Sequence, residues 1–440
     1  MLCIFIIACL SLVACLDRLG YYWAMVSDNI MHGNDAWIQN IIDQAKDIEV
    51  SEIEQKVIDK LIYEVYRISD VTNRRLWLAA AFDLLLSAEY YRTIAHAGWL
   101  YCPEHSVPLL LYPYTNACPR CVVQNKFVYH NANKPKSGSI GAKTSRLLSA
   151  FLQSLFLKNK FSVQVKKGVE PVDIVLIDHN VSPLALMFAE IKAAPLVTLP
   201  LAIISQTLTK EAGSRVTQVD HRVSDFATLY GTQLNIFLPK TTKGNPNWQL
   251  IPFGMRQDIF DEEWAYHSLF RLLSSEEQFL ASYFQFWETA LNHYEQKSQT
   301  DLFWLTNACG QPSPRPANWP RRHGASGHES ISDSKSSVGM DRTDDLKKAT
   351  YQVLKISTSG NPSQKFHFTA GIISNIHAIR HFDEYIEALK DVVWTHDETN
   401  GVQYARDLSP HTPLFNLFDG IVALTRTYTR DEWLAKIFAF

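Results

Sequence analysis

Three charged side chains interrupt apolar runs where buried strands should carry none. The stretch from Phe161 to Leu196, FSVQVKKGVEPVDIVLIDHNVSPLALMFAEIKAAPL, holds three short runs rich in Val, Ile and Leu, separated by turn residues. That pattern predicts three consecutive strands over Phe161–Lys166, Val172–Ile177 and Ala185–Ile191, with His179-Asn180 and Ser182-Pro183 closing the last hairpin. Asp173 opens the second run, while Glu190 and Lys192 end the third. Because side chains alternate faces along a strand, Glu190 and Lys192 point the same way, and a hairpin can bring Asp173 beside them. Two carboxylates form a hard oxygen site suited to magnesium that retains several waters. An adjacent ammonium can orient or help deprotonate an attacking water, or stabilise charge at phosphorus. The chemistry of such a set is phosphodiester hydrolysis. The plainer reading is a surface Asp with an ordinary Glu and Lys at a strand end.

A second constellation lies upstream: Cys102-Pro-Glu-His105 followed by Cys118-Pro-Arg-Cys121. Paired ligands two residues apart, joined by an arm of 12 residues, can wrap a tetrahedral zinc with three thiolates and one imidazole. Four protein ligands leave no open position for water, so this zinc is expected to be structural. Its binding would contribute on the order of 10 kcal/mol to local folding. Reduced thiolates also point to the cytoplasm.

The strand context of Asp173, Glu190 and Lys192 resembles the PD-(D/E)xK nuclease superfamily, in which an Asp on one strand and a Glu-x-Lys on the next surround magnesium. One departure is that Pro171 lies two residues before Asp173 instead of immediately before it. The resemblance covers the catalytic hairpin and, more loosely, residues 138–385. It implies a restriction-endonuclease-like core with a mixed central sheet flanked by helices, and catalysis by Asp173, Glu190 and Lys192. Members often carry a further metal-binding acid on the helix before the catalytic sheet, but Thr144–Leu157 has none. Either Glu170 takes that role or the site relies on two carboxylates.

At 440 residues, with 46% hydrophobic and 20% charged residues, the chain can bury a full core. Its net charge of −3 hides an asymmetry: no acidic residue lies between Glu104 and Glu170, whereas that interval holds Lys134, Lys136, Lys143 and Arg146 among other cations. Such a block predicts a positive field suited to a phosphate backbone, or else a solvated basic face. Lys134 and Lys136 fall in the turn-rich loop Asn131–Gly141, and Lys143 and Arg146 around the start of the helix after it. Gln206 and Arg215 are candidates for base edges in the major groove. Gln352, on a later helix, is a candidate for a phosphate or a bound water.

The supporting elements follow from periodicity. Residues 1–30 form an apolar extension, MLCIFIIACLSLVAC at its start, without the preceding Lys or Arg of a secretory signal. It reads as a buried or dispensable extension, or translation begins at Met25 or Met31. Residues 31–100 predict helical support, with Val57, Ile58, Leu61, Ile62 and Val65 on one face. In the second helix of that region, Asp83, Glu89 and Arg92 mark a core helix and not a membrane span. Residues 101–130 form the zinc module and 131–305 the first part of the core, with a strand near Leu234–Leu238 and aromatic helices over 259–295. Residues 306–340, rich in Pro, Gly, Ser and Arg, predict a long loop. Residues 341–440 complete the core with a helix from Asp341, a strand at Phe366–Ile373, a helix at His381–Val393 and an apolar tail that packs back.

Together these readings predict an α/β (α+β) protein that hydrolyses double-stranded DNA with magnesium, of the type II restriction endonuclease kind. A homodimer and a cognate DNA methyltransferase would be expected partners, without a membrane. The alternatives are a DNA-repair or mobile-element endonuclease, and a zinc-stabilised DNA-binding protein without catalysis. The sequence carries no glycine-rich phosphate loop, which disfavours an ATP-driven enzyme.

Overall fold

The protein is seen in a computed structural model that describes residues 33–94, 100–101, 109–112, 121, 137–204, 232–240, 247–296, 306–307, 338–395 and 408–440. The fold is mixed α/β. Its N-terminal part is helical, through α1 (Asn34–Gln44), the short strand β1 (Lys46–Asp47), α2 (Glu52–Ile68) and α3 (Arg74–Ile94). Ser51 starts α2 with a capping box: its hydroxyl accepts from the Glu54 amide while the Glu54 carboxylate accepts from the Ser51 amide. Val57, Ile58, Leu61, Ile62 and Val65 are buried, as their spacing predicts.

Next come β2 (Leu100–Tyr101), β3 (Leu109–Tyr112) and α4 (Ser137–Lys158). The last begins inside the expected loop, because SGSIG adopts helix despite its two glycines. The stretch from Phe161 to Leu196 gives β4 (Val163–Lys167), β5 (Ile174–Asp178) and β6 (Ala185–Ile191). After them lie β7 (Leu201–Ile204), β8 (Gln233–Lys240), β9 (Asn247–Met255), α5 (Trp264–Ser275) and α6 (Glu277–Glu295). Phe279, Tyr283, Phe286 and Trp287 on α6 are core residues, all buried.

The C-terminal part contains α7 (Thr343–Gly360), β10 (His367–Ser374), α8 (Phe382–Tyr385), β11 (Val393–Trp394), β12 (Phe415–Asn416), β13 (Gly420–Ala423), β14 (Thr427–Thr429) and α9 (Glu432–Ile437). Two expectations are corrected here. Neither Asp341 nor Thr343 caps α7; Asp341 accepts hydrogen bonds from the Tyr294 hydroxyl and from the Arg380 and His381 amides. The helix expected over His381–Val393 stops at Tyr385. The Glu387 amide reaches back to the Phe382 carbonyl, and the chain turns over a buried Ile386 toward the short strand β11.

Seven strands form one mixed sheet in the order β1-β4-β5-β6-β10-β13-β14. Neighbours from β1 to β6 are antiparallel, β6-β10 and β10-β13 are parallel, and β13-β14 is antiparallel. A second sheet, β2-β3-β7-β8-β9, is antiparallel throughout. On β6, Ala185, Met187, Ala189 and Ile191 enter one core with α2 to α6 and the second sheet, whereas Leu186 and Phe188 enter another with α1 and α7. Burial on both faces explains why these strands read as continuous apolar runs. The backbones of β10 and β13 approach so closely that a Cβ on Gly371 would lie 2.0 Å from the Gly420 carbonyl oxygen. The apolar tail packs back as expected, with Trp433, Leu434, Ile437, Phe438 and Phe440 in the first core. Arg75 on α3 ties it down through the Phe438 and Ala423 carbonyls, each 2.9 Å away, and through Thr427.

Candidate active site

Asp173 sits immediately before β5, and the β5–β6 register sets it across from Glu190, one step beyond the Ile174–Ala189 pair. One bond to the backbone and one to the side chain hold the position: the Asp173 amide donates to the Ala189 carbonyl at 3.1 Å, and the Ile191 amide donates to Asp173 Oδ2 at 2.9 Å. The approach to Asp173 is a tight loop closed by Gly168 N–H on the Asp173 carbonyl (2.9 Å) and Val172 N–H on the Val169 carbonyl (2.8 Å). A Cβ on Gly168 would come within 2.3 Å of the Val172 carbonyl oxygen, so only glycine fits there. The loop includes a cis Glu170–Pro171 bond.

Glu190 alternates with Leu186 and Phe188, on the sheet face covered by α1 and α7. It is 6% exposed, whereas Asp173 is exposed. Burial, reinforced by the charge of Asp173, pushes the Glu190 carboxyl up to about 7. Lys192 answers that charge: its Nζ donates to Glu190 Oε1, and its amide continues the β6–β10 ladder by donating to the Ile373 carbonyl at 3.0 Å. The sequence-predicted trio therefore meets at the ends of two interior strands, with the Lys192 ammonium in contact with the buried carboxylate.

Two like-charged carboxylates held together at a partly buried strand end fit a hard divalent cation, which would offset the burial and the repulsion that raise Glu190. Among the described residues no group of three or more His, Cys, Asp or Glu is placed to hold a metal ion. Two carboxylates nonetheless suffice for a magnesium ion that keeps most of its waters. Glu170 is exposed and accepts from Gln352 Nε2 on α7 at 3.3 Å, so Gln352 lies beside the loop that leads to Asp173.

The remaining candidates divide. Lys143 and Arg146 lie on α4, whose packed face belongs to the core on the other side of the sheet. Both cations have internal partners: Lys143 Nζ is 2.7 Å from Glu89, and Arg146 makes a two-pronged contact with Glu54 at 2.7 and 2.9 Å. Arg146 is held above its already high range by those bonds to Glu54, against the opposing effect of burial. Lys134, Lys136, Gln206 and Arg215 lie outside the described residues, as do Cys102, His105 and Cys118 of the expected zinc site; Cys121 is buried.

Sequence reasoning missed a buried polar network behind Lys192, formed by Asp83, Trp287 and Asn375. Asp83 stood out as a charge within an apolar helix, but nothing in the sequence named its partners. Among the described residues no helix is long and apolar enough to cross a membrane. Comparison of the chain with family models, curated proteins and solved structures gave no match.

Proposed function

We propose that the protein is a magnesium-dependent endonuclease of double-stranded DNA, acting as a type II restriction enzyme. The observation that carries this reading is the convergence of Asp173, Glu190 and Lys192 across one antiparallel strand pair, with Lys192 on the buried carboxylate. The order of the elements supports it as well. A helix, three antiparallel strands, a second helix and a strand parallel to the third is the arrangement that α4, β4, β5, β6, α7 and β10 adopt.

In this mechanism Asp173 and Glu190 would hold the magnesium ion, which when bound supplies Lewis acidity toward a phosphate oxygen and a more acidic water. The Ile191 amide fixes the Asp173 carboxylate by its hydrogen bond. Lys192 orients the water for in-line attack and offsets negative charge at phosphorus, as a preorganised donor already held in place. Gln352 and Glu170, hydrogen-bonded to each other at 3.3 Å beside the loop that leads to Asp173, would present the Gln352 amide to a phosphate or an ordered water. A homodimer acting on a palindromic site, beside a protective DNA methyltransferase, completes the proposal.

The deciding experiment incubates the purified protein with mixed-sequence plasmid and phage DNA in magnesium without ATP, beside Asp173→Ala and Lys192→Ala. Discrete fragments from wild type, reduced at least ~10²-fold in both variants, are expected. Equal cleavage by wild type and both variants would overturn the assignment. Intact DNA that shifts on a gel would replace it with a zinc-stabilised binding protein.

A further inference from the structure

The peptide that follows Lys192 is gripped from behind by buried polar groups that the cleavage chemistry itself does not use. Asn375, just past the end of β10, is fully buried, and its side-chain amide holds the Ala194 peptide on both sides. Oδ1 accepts from the Ala194 amide at 3.1 Å, and Nδ2 donates to the Ala194 carbonyl at 2.9 Å. The same Nδ2 also lies 3.2 Å from Asp83 Oδ1. Asp83, equally buried on α3, accepts three more donors on Oδ2: the Leu196 amide at 2.8 Å, the Val197 amide at 3.1 Å and Trp287 Nε1 at 2.7 Å. From another direction, the Gly339 amide donates to the Ala194 carbonyl at 2.8 Å. Gly339 itself has a φ of +52°, and a Cβ there would lie 2.3 Å from the Ile376 carbonyl oxygen.

Buried polar groups are costly unless paired, and a network this fully paired fixes geometry more than it adds stability. Here the fixed geometry begins two residues after Lys192. On the near side, the Lys192 amide is tied to Ile373 of the same β10 strand. The backbone that carries the ammonium is thus pinned both at Lys192 and at Ala194, by a single neighbouring strand and its extension.

We infer that Asn375, backed by Asp83 and Trp287, is a positioning residue that sets the Lys192 ammonium against Glu190. It touches no reacting atom and acts only through the backbone behind Lys192. The inference rests on the proposed role of Lys192 in cleavage.

The test measures steady-state DNA cleavage against pH for wild type, Asn375→Ala and Trp287→Phe, with DNA affinity in EDTA and thermal unfolding alongside. Misplacement of a catalytic group by a remote change lowers turnover by as much as ~10²-fold. Asn375→Ala is expected to lose kcat on that scale with KM and DNA affinity unchanged, and to shift the pH dependence of kcat. Trp287→Phe keeps the aromatic packing while removing one donor from Asp83, so a smaller fall in kcat at unchanged KM is expected. It also decides the matter if Asn375→Ala fails to fold. A lower unfolding temperature with unchanged kcat and pH profile in the folded variants would overturn the inference alone. Wild-type protein that cuts no DNA would overturn the proposed function, and this inference with it.

Discussion

Glu190 concentrates the conflict at this site, being a carboxylate on a strand buried on both faces and set across from a second carboxylate. Its raised proton affinity records that conflict, and its contact with Lys192 only partly relieves it. Replacing the charge should therefore stabilise the fold while removing function. Glu190→Gln is expected to raise the unfolding free energy at pH 8 in EDTA by about 1–3 kcal/mol and to abolish cleavage. A variant less stable than wild type would contradict this account. Gly168 presents the opposite case, a residue with no chemistry that decides where Asp173 stands. Gly168→Ala should cost about 1–3 kcal/mol and lower activity beyond what the unfolded fraction explains, as circular dichroism and cleavage measured together would reveal.

These residues also mark what the sequence could disclose at this scale. Asp173, Glu190 and Lys192 were readable because strand alternation and a local hairpin fix their relative positions without long-range information. Asn375 and Asp83 were not, since they lie 292 positions apart and meet only through tertiary packing.

Among the elements, α9 is the one most simply tied to pH. Asp431 caps it by accepting from the Leu434 amide at 2.9 Å and pairs with His367 on β10 at 2.8 Å. Its bond to Asp431 holds the His367 imidazolium above its ordinary range. Asp431 is held below its ordinary range, where the bond to His367 and backbone amides outweigh burial. The raised His367 contributes stability at low pH that is lost as pH rises through its folded value. The lowered Asp431 contributes stability above about pH 4 that is lost as pH falls through its folded value. The pair therefore works best between these limits. Asp431→Ala should cost about 1–2 kcal/mol from the cap alone, with the largest loss of unfolding temperature between about pH 4 and 6.5. A loss that is flat with pH would show that the imidazole plays no part.

At this same scale, sequence periodicity located α2 and α7, because each buries a regular face, whereas α3, β5 and β6 were legible as continuous apolar runs because they are buried all round. It failed over His381–Val393, where tertiary burial of Ile386 and pairing of β11 with β12 override a helical pattern. The start of α4 was missed for a related reason: Gly and Ser are weak helix formers, and only its packed continuation sustains that first turn.

Across the whole molecule, the seven-stranded sheet joins residues from β1 near one end of the chain to β14 near the other. Arg75 reinforces that closure by satisfying two carbonyls of the C-terminal region from an N-terminal helix. Arg75→Ala takes the charged donor from both carbonyls in a largely buried place, and only Ala423 keeps another, the Arg426 amide at 3.2 Å. It should cost about 2–4 kcal/mol and make the tail the first segment cut in limited proteolysis. Unchanged stability with an intact tail would show that packing of Phe438 and Phe440 suffices. The strand order itself was beyond sequence reading, because β6 pairs with β10 across an insertion that holds three strands of the second sheet, β7 to β9.

That insertion also sets a schedule. Ala194 and Asn375 are 181 positions apart, which at roughly 5–20 residues per second is about 10–40 s of synthesis. Throughout that interval a growing chain carries both carboxylates and the lysine, yet lacks the strand that lies beside Glu190 and the amide that grips the peptide behind Lys192. On the proposed reading, a ribosome-bound chain thus holds all three side chains of the site before the strand and the amide that position them have been made.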